Sequence, residues 1–268
     1  MTREMIYLGD YQAMTRTIFG HKMVVDTRDM AVGQCILMDG QWETWTAHVL
    51  RRFLAEGMVM VDIGAHIGYF TVLAAAAVGA TGRVYAFEPS PTSFPLLCRN
   101  VHINGFRGRV RPVRKAVLDR SGSVTFSDLR HFQGGSQVGQ FLSRDQLEEL
   151  QDEARIVQVE CTRLDDYLAT QDCTRVDVVK MDVQGAEPFV FRGMTGTLRD
   201  NPHIVLIVEF APACLRGLGH DPQRFLADLE QLGFPLRYIH PPDASLRLAS
   251  PDELLAMENV ELLLTRRF

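Results

Sequence analysis

The stretch from Ile63 to Gly82 runs twenty residues without an Asp, Glu, Lys or Arg, and it narrows the fold more than any other feature of the chain. An apolar helix of that length would cross a bilayer. Gly64-x-x-x-Gly68 inside it even has the spacing of a membrane helix-dimer contact. The content of the run argues otherwise. It holds His66, Thr71, Thr81 and four glycines, and lacks the unbroken Leu, Ile, Val and Phe that insertion requires. Just before it, Met58-Val59-Met60-Val61-Asp62 has the length and character of a buried strand. The reading is therefore strand, glycine-punctuated turn and buried helix, with no membrane partner.

Short apolar runs alternate with helical patterns along the rest of the chain, as in a parallel sheet with helices on both faces. The candidate strands are Val59–Ile63, Arg83–Glu88, Val110–Ala116, Val176–Asp182, Ile204–Glu209, Leu236–His240 and Val260–Arg266. Ser90-Pro91 opens one helix that Gly105 closes, and Asp221-Pro222 opens another that Gly233 stops. A shorter helix is expected over Glu187–Arg199. Residues 1–57 form a mixed extension, with Met23–Val25 and Cys35–Met38 as strands and Trp45–Leu54 as a helix. The body, 58–268, carries an insertion over 117–175 with a hairpin candidate at Ser123–Ser127, a glycine-rich piece at Phe132–Gly139 and a charged helix at Arg144–Arg155. No linker divides the chain, so one elaborated domain is expected.

With 46% apolar residues the 268-residue chain supplies its own core without staples. A net charge of −5 and a pI near 5.9 lack the basic footprint of a nucleic-acid binder, which leaves a small-molecule partner. The five cysteines have neither disulfide-scaffold nor zinc spacing, and Met1-Thr2-Arg3-Glu4 begins no signal-peptide apolar core. Both point to a cytoplasmic location.

Three segments carry chemistry. In Asp62-Ile63-Gly64-Ala65-His66-Ile67-Gly68 a strand ends in an acid and a turn feeds a helix N-terminus, where glycine lets a ligand approach the backbone. The spacing lacks the middle and last glycines of a dinucleotide turn, so a nicotinamide-dependent oxidoreductase is the disfavoured rival. An acid there repels phosphate but suits an ammonium group, as S-adenosylmethionine carries. In Phe87-Glu88-Pro89 the acid ends the next strand, where a doubly wound fold meets ribose hydroxyls. In Lys180-Met181-Asp182-Val183-Gln184-Gly185-Ala186-Glu187, strand alternation puts Lys180 and Asp182 on one face. Charges inside so apolar a strand need partners, and Glu209 ends the strand that follows.

Together with Gly40-x-Trp42-Glu43, Gly134-Gly135-Ser136 and Leu164-Asp165, these segments resemble the FkbM-type S-adenosylmethionine-dependent methyltransferases from about Asp26 to Arg266. The resemblance implies a class I methyltransferase fold: an α/β, Rossmann-like, doubly wound seven-stranded sheet with only its last strand antiparallel. It also implies that Asp62 and Gly64 line the methionine part of the cofactor, with His66 and Gly68 in the same cofactor-binding turn. Glu88 and Pro89 would then lie at its ribose and Ala116 and Val117 at its adenine, with Glu43 on the cofactor side. The family usually has Asn at His66 and Glu at Gln184. His66 can still donate to a carboxylate, and Gln184 reads as neutral filler.

Methyl transfer asks the protein to align an acceptor oxygen or nitrogen with the methyl carbon and, for a hydroxyl, to take its proton. Asp182, Glu187, Glu209 and His131 are the candidate bases, with Lys180 beside them. Strand-end acids leave a divalent metal open, though no metal ligand set is assigned. Trp42 and Trp45 read as core packing before a cation–π contact to the sulfonium. The function expected is O-methylation of a small-molecule hydroxyl on a sugar or natural-product scaffold, with carboxyl or nitrogen methylation as the nearest variants. A homodimer fits the chain but nothing in it requires one.

Overall fold

A computed structural model describes residues 4–139 and 151–267. The chain opens with an antiparallel meander of β1 (Ile6–Gly9), β2 (Gln12–Arg16) and β3 (Lys22–Asp26). The helix Thr44–Phe53 follows, and then the first strands of the main sheet: β4 (Val59–Ile63), β5 (Arg83–Phe87) and β6 (Val110–Val113). A second, four-stranded sheet is built from β7 (Ala116–Val117), β8 (Gly122–Leu129), β9 (Gln137–Val138) and β10 (Ala154–Thr162). The chain then returns to the main sheet with β11 (Val178–Met181), β12 (Val205–Phe210), β13 (Arg237–His240), β14 (Ser245–Leu248) and β15 (Val260–Leu264).

The main sheet has the order β14-β13-β15-β12-β11-β4-β5-β6. From β6 to β12 every pairing is parallel, and β15 runs antiparallel to both β12 and β13. The seven expected strands are all present with the last one reversed, and β14 adds an eighth by folding back on β13 at the edge. Strand alternation splits the core between the two faces. Met60, Val178, Ile207 and Leu263 belong to one apolar cluster with the helices Thr44–Phe53 and Tyr69–Ala77, whereas Val61, Val179, Leu206 and Leu262 belong to the other.

Some local expectations change. Cys35–Met38, expected as a strand, lies in a helix, Val32–Asp39. Of those four residues Ile36 is fully buried while Met38 is 69% exposed, a one-sided pattern that a helix satisfies and a four-residue apolar run cannot reveal. Glu187–Arg199 is two helices, Glu187–Gly193 and Thr195–Asp200, parted at Met194. The charged helix expected over 144–155 lies, up to residue 150, outside the described residues, and Ala154 and Arg155 open β10. The hairpin candidate at Ser123–Ser127 is the middle of β8, which pairs along its whole length with β10. The helix after β5 spans Ser93–Ile103 with Thr92 rather than Ser90 at its N-cap, and Ser90 Oγ accepts from the backbone N–H of Thr92 and Ser93 at 3.0 Å in the turn before it.

Candidate active site

Glycine at position 64 answers to the neighbouring strand as well as to any ligand. Its φ is +81°, and a Cβ there would stand 1.8 Å from the carbonyl oxygen of Asp182. The turn after β4 is thereby pressed against the end of β11, so the first and third chemical segments meet at the backbone. The turn also meets the second segment. Glu88 Oε2 accepts from the His66 backbone N–H at 2.7 Å, and Oε1 accepts from Ser90 N–H at 2.8 Å. Burial pushes the Glu88 carboxyl up to about 7 against the pull of those two donors. The His66 imidazole has its pKa lowered by burial, and its Nε2 is enclosed without a hydrogen-bond partner among the described residues.

On the face shared by Met60 and Ile207, the carboxyl ends of β4, β11 and β12 and the amino end of the antiparallel β15 gather charges. Register sets Lys180 beside Asp62, and Glu209 opposite Glu261. Lys180 Nζ lies 3.1 Å from Asp182 Oδ2 and 4.5 Å above the Phe70 ring. Burial would strip the Lys180 charge, but Asp182, Glu261, Glu43 and Asp62 outweigh it and hold the ammonium charged. The same lysine and the Gln184 amide outweigh burial at Asp182 and lower its pKa, so Asp182 is a carboxylate. Gln184 is no filler: its Nε2 donates to Asp182 Oδ1 and to Glu209 Oε2, both at 2.9 Å. The Glu209 carboxyl is pushed well up by burial and then by Asp182, Glu187, Glu261 and Glu43.

Two cavities meet at these groups. The first, about 310 Å³, is lined by Glu43, Gly64, His66, Glu88, Pro89, Ala116, Val117, Lys180, Asp182 and Glu209 among the residues expected at the site, together with the glycine-rich strip Gln133–Val138. This falls in the size range of small-molecule sites. The second, about 370 Å³, is walled by Trp42, Trp45 and Glu261 and shares Trp42, Glu43, Glu209 and Asn259 with the first. Both tryptophans also pack against the core cluster on that face.

Three expected site residues stand behind the wall. Asp62 is 1% exposed and accepts from Thr71 Oγ1 at 2.5 Å. Gly68, at φ +90°, precedes the helix Tyr69–Ala77 and faces Leu97. Glu187 turns its Oε1 to the backbone N–H of Val183 and Gly185 at 3.2 and 3.3 Å, which shapes the loop that carries Gln184. His131 does not line either cavity; its Nδ1 is 3.3 Å from the Arg28 carbonyl oxygen. The sequence reading passed over Glu261. It is the lone acid in the apolar run Val260–Leu264, the kind of signal that singled out Lys180.

The methyltransferase FkbM domain matches residues 62–235. Methyltransferase 1 of Beauveria bassiana is 30% identical over 145 residues, which cover 50% of this chain and 57% of that protein. The methyltransferase sdnD of Sordaria araneosa is 27% identical over 203 residues, covering 68% of this chain and 76% of its own. The hexuronic acid methyltransferase AglP of Haloferax volcanii is 25% identical, over 60% and 61% of the two chains. Among solved structures, Aeropyrum pernix fibrillarin with natively bound S-adenosyl-L-methionine superposes with a TM-score of 0.48 at 13% identity, covering 98% of this chain and all of that one. The chain belongs to the FkbM methyltransferases, and its domain is that of an S-adenosylmethionine-dependent methyltransferase.

Proposed function

We propose that the protein transfers a methyl group from S-adenosylmethionine to a hydroxyl of a small-molecule acceptor, with the donor in the first cavity and the acceptor in the second. The observation that carries this reading is the shared wall. Glu43 and Glu209 line both cavities, so a methyl carbon and an acceptor oxygen can meet beside a proton acceptor. The acceptor oxygen attacks the methyl carbon, the carbon–sulfur bond breaks with its electron pair staying on sulfur, and the hydroxyl proton passes to Glu209. S-adenosylhomocysteine and a methyl ether result. Asp182, held ionised by Lys180 and Gln184, orients the hydroxyl as a hydrogen-bond acceptor.

Glu88 holds the ribose hydroxyls, since each of its oxygens keeps a lone pair after its one backbone hydrogen bond. His66 Nε2 is free to meet the donor's carboxylate, and Ala116 and Val117 flank the adenine. A carboxylate acceptor is disfavoured because it would enter among Glu43, Glu209 and Glu261. We place the chain as one elaborated domain with residues 1–57 packed on the body, and in the cytoplasm, where its five unpaired cysteines stay reduced.

The test is incubation with methyl-labelled S-adenosylmethionine and a panel of hydroxyl, carboxyl and amine acceptors. Label in a product that survives mild alkali and sits on oxygen is expected; label on nitrogen, or label lost to alkali as an ester, would replace the hydroxyl reading. Glu88→Ala should weaken S-adenosylhomocysteine binding by about tenfold or more, the loss of charge-assisted hydrogen bonds. Equal affinity in the variant and the parent would refute the ribose assignment.

A further inference from the structure

We infer that Glu43, Asp182 and Glu261 form a binding site for one divalent cation, set where the two cavities join. One carboxylate oxygen from each comes within 4.8 Å of the others. Oxygens on opposite sides of an ion with bonds of about 2.3–2.4 Å lie about 4.6–4.8 Å apart, so all three can reach a single ion with little movement. The donor set is oxygen only. That selects a hard cation of the Mg²⁺, Mn²⁺ or Ca²⁺ kind over a thiolate- or imidazole-seeking one.

The second observation is an orphan. Glu261 is 7% exposed, and its Oε2 is enclosed with no hydrogen-bond partner among the described residues; Glu43 Oε2 is in the same condition. A buried carboxylate oxygen without a donor is costly, and the cost calls for a cation. Among the described residues the nearby Lys180 attracts both acids but donates no hydrogen bond to either orphaned oxygen. Lys180 is occupied by Asp182 Oδ2 and the Phe70 ring, and the Gln184 amide turns to Asp182 and Glu209. Sheet register deepens the imbalance, since Glu261 is paired directly opposite Glu209, a like-charge pair across adjacent strands.

The position matters because Glu43 faces both cavities, while Asp182 lines the first and Glu261 the second. A cation held there supplies Lewis-acid polarisation to an acceptor oxygen. That role rests on the methyl-transfer reading; the site itself rests on the three carboxylates alone.

The test uses the full chain, stripped with a chelator and dialysed, then titrated with MnCl₂ while free Mn²⁺ is read by electron paramagnetic resonance, with Ca²⁺ and Mg²⁺ as competitors. We expect one saturable site with Kd below about 1 mM, weakened about tenfold or more in Glu261→Gln and in Glu43→Gln. Glu230→Gln, at an exposed position away from the cluster, should bind like the parent. No saturable Mn²⁺ binding by the parent, or equal binding by Glu261→Gln and Glu230→Gln, overturns the inference. Saturation by ethylammonium chloride where Mn²⁺ fails also overturns it and assigns the acids to a cationic acceptor. If Glu261→Gln loses its far-ultraviolet circular dichroism, the parent and Glu43→Gln titrations decide. S-adenosylhomocysteine affinity on the same samples keeps the failures apart. Intact binding with no Mn²⁺ site removes only the cation, whereas absent binding removes the methyl-transfer reading.

Discussion

The two ends of the site satisfy their acids by different means. At the β4–β5 end, Glu88 is held by backbone N–H groups of His66 and Ser90, donors that belong to the turn and to the start of a helix. At the β11–β12–β15 end, Asp182 and Glu209 are held by side chains, Lys180 and Gln184, while Glu43 and Glu261 keep oxygens with no partner among the described residues. Backbone donors come with the fold and suit a constant cofactor. Side-chain donors and orphaned oxygens leave capacity for a second ligand, and that is the end where the acceptor is proposed to enter.

Where the two ends touch, the comparison is easiest to break. Gly64→Ala would drive a Cβ into the Asp182 carbonyl oxygen at 1.8 Å from a backbone already at φ +81°. We expect a stability loss of about 4 kcal/mol or more in urea unfolding, from overpacking and left-handed strain together. A loss under about 1 kcal/mol would mean that the ends are not rigidly coupled.

The next largest effect should separate chemistry from binding. Glu209→Gln should lower turnover by about a hundredfold or more through loss of the base, and leave S-adenosylhomocysteine affinity within about threefold. A parallel fall in affinity would place Glu209 with the cofactor end instead.

The smallest effect concerns charge in the empty site. Burial raises the Glu43 carboxyl to about 7, more than Lys180 lowers it. The folded state thus favours the protonated form, so the stability from Glu43 is complete below its unfolded value near 4.5 and lost as pH rises through about 7. In chelated buffer, Glu43→Gln should melt several degrees above the parent at pH 8 and level with it at pH 4. Equal melting at both values would show that the acceptor end carries no unrelieved charge.

Much of this was legible locally. The buried strands β4, β5, β11, β12 and β15 announce themselves as short Val/Ile/Leu runs, and alternation along β11 alone sets Lys180 and Asp182 on one face. Misreadings fell where local pattern is ambiguous, as at Cys35–Met38, whose four apolar residues fit a strand or a buried helix turn equally. Gln184 looked like filler because, although Asp182 lies two residues before it, its second partner Glu209 comes from β12, and no spacing encodes that approach.

By itself, then, the sequence determined the alternating α/β plan, the glycine turn after β4 and the acids at the strand ends, because periodicity and turn chemistry act over a few neighbouring residues. The uncharged run from Ile63 to Gly82 belongs here too: among the described residues no helix is long and apolar enough to cross a membrane, and the run holds the Gly64 turn and the helix Tyr69–Ala77. Only the tertiary structure decided that Glu43, from the edge of an N-terminal helix, meets Asp182 and Glu261. That meeting depends on the register of β12 against β15 and on how the N-terminal helix packs over the sheet. Both are long-range choices made by burying the shared apolar face, and no local stretch of the chain contains them.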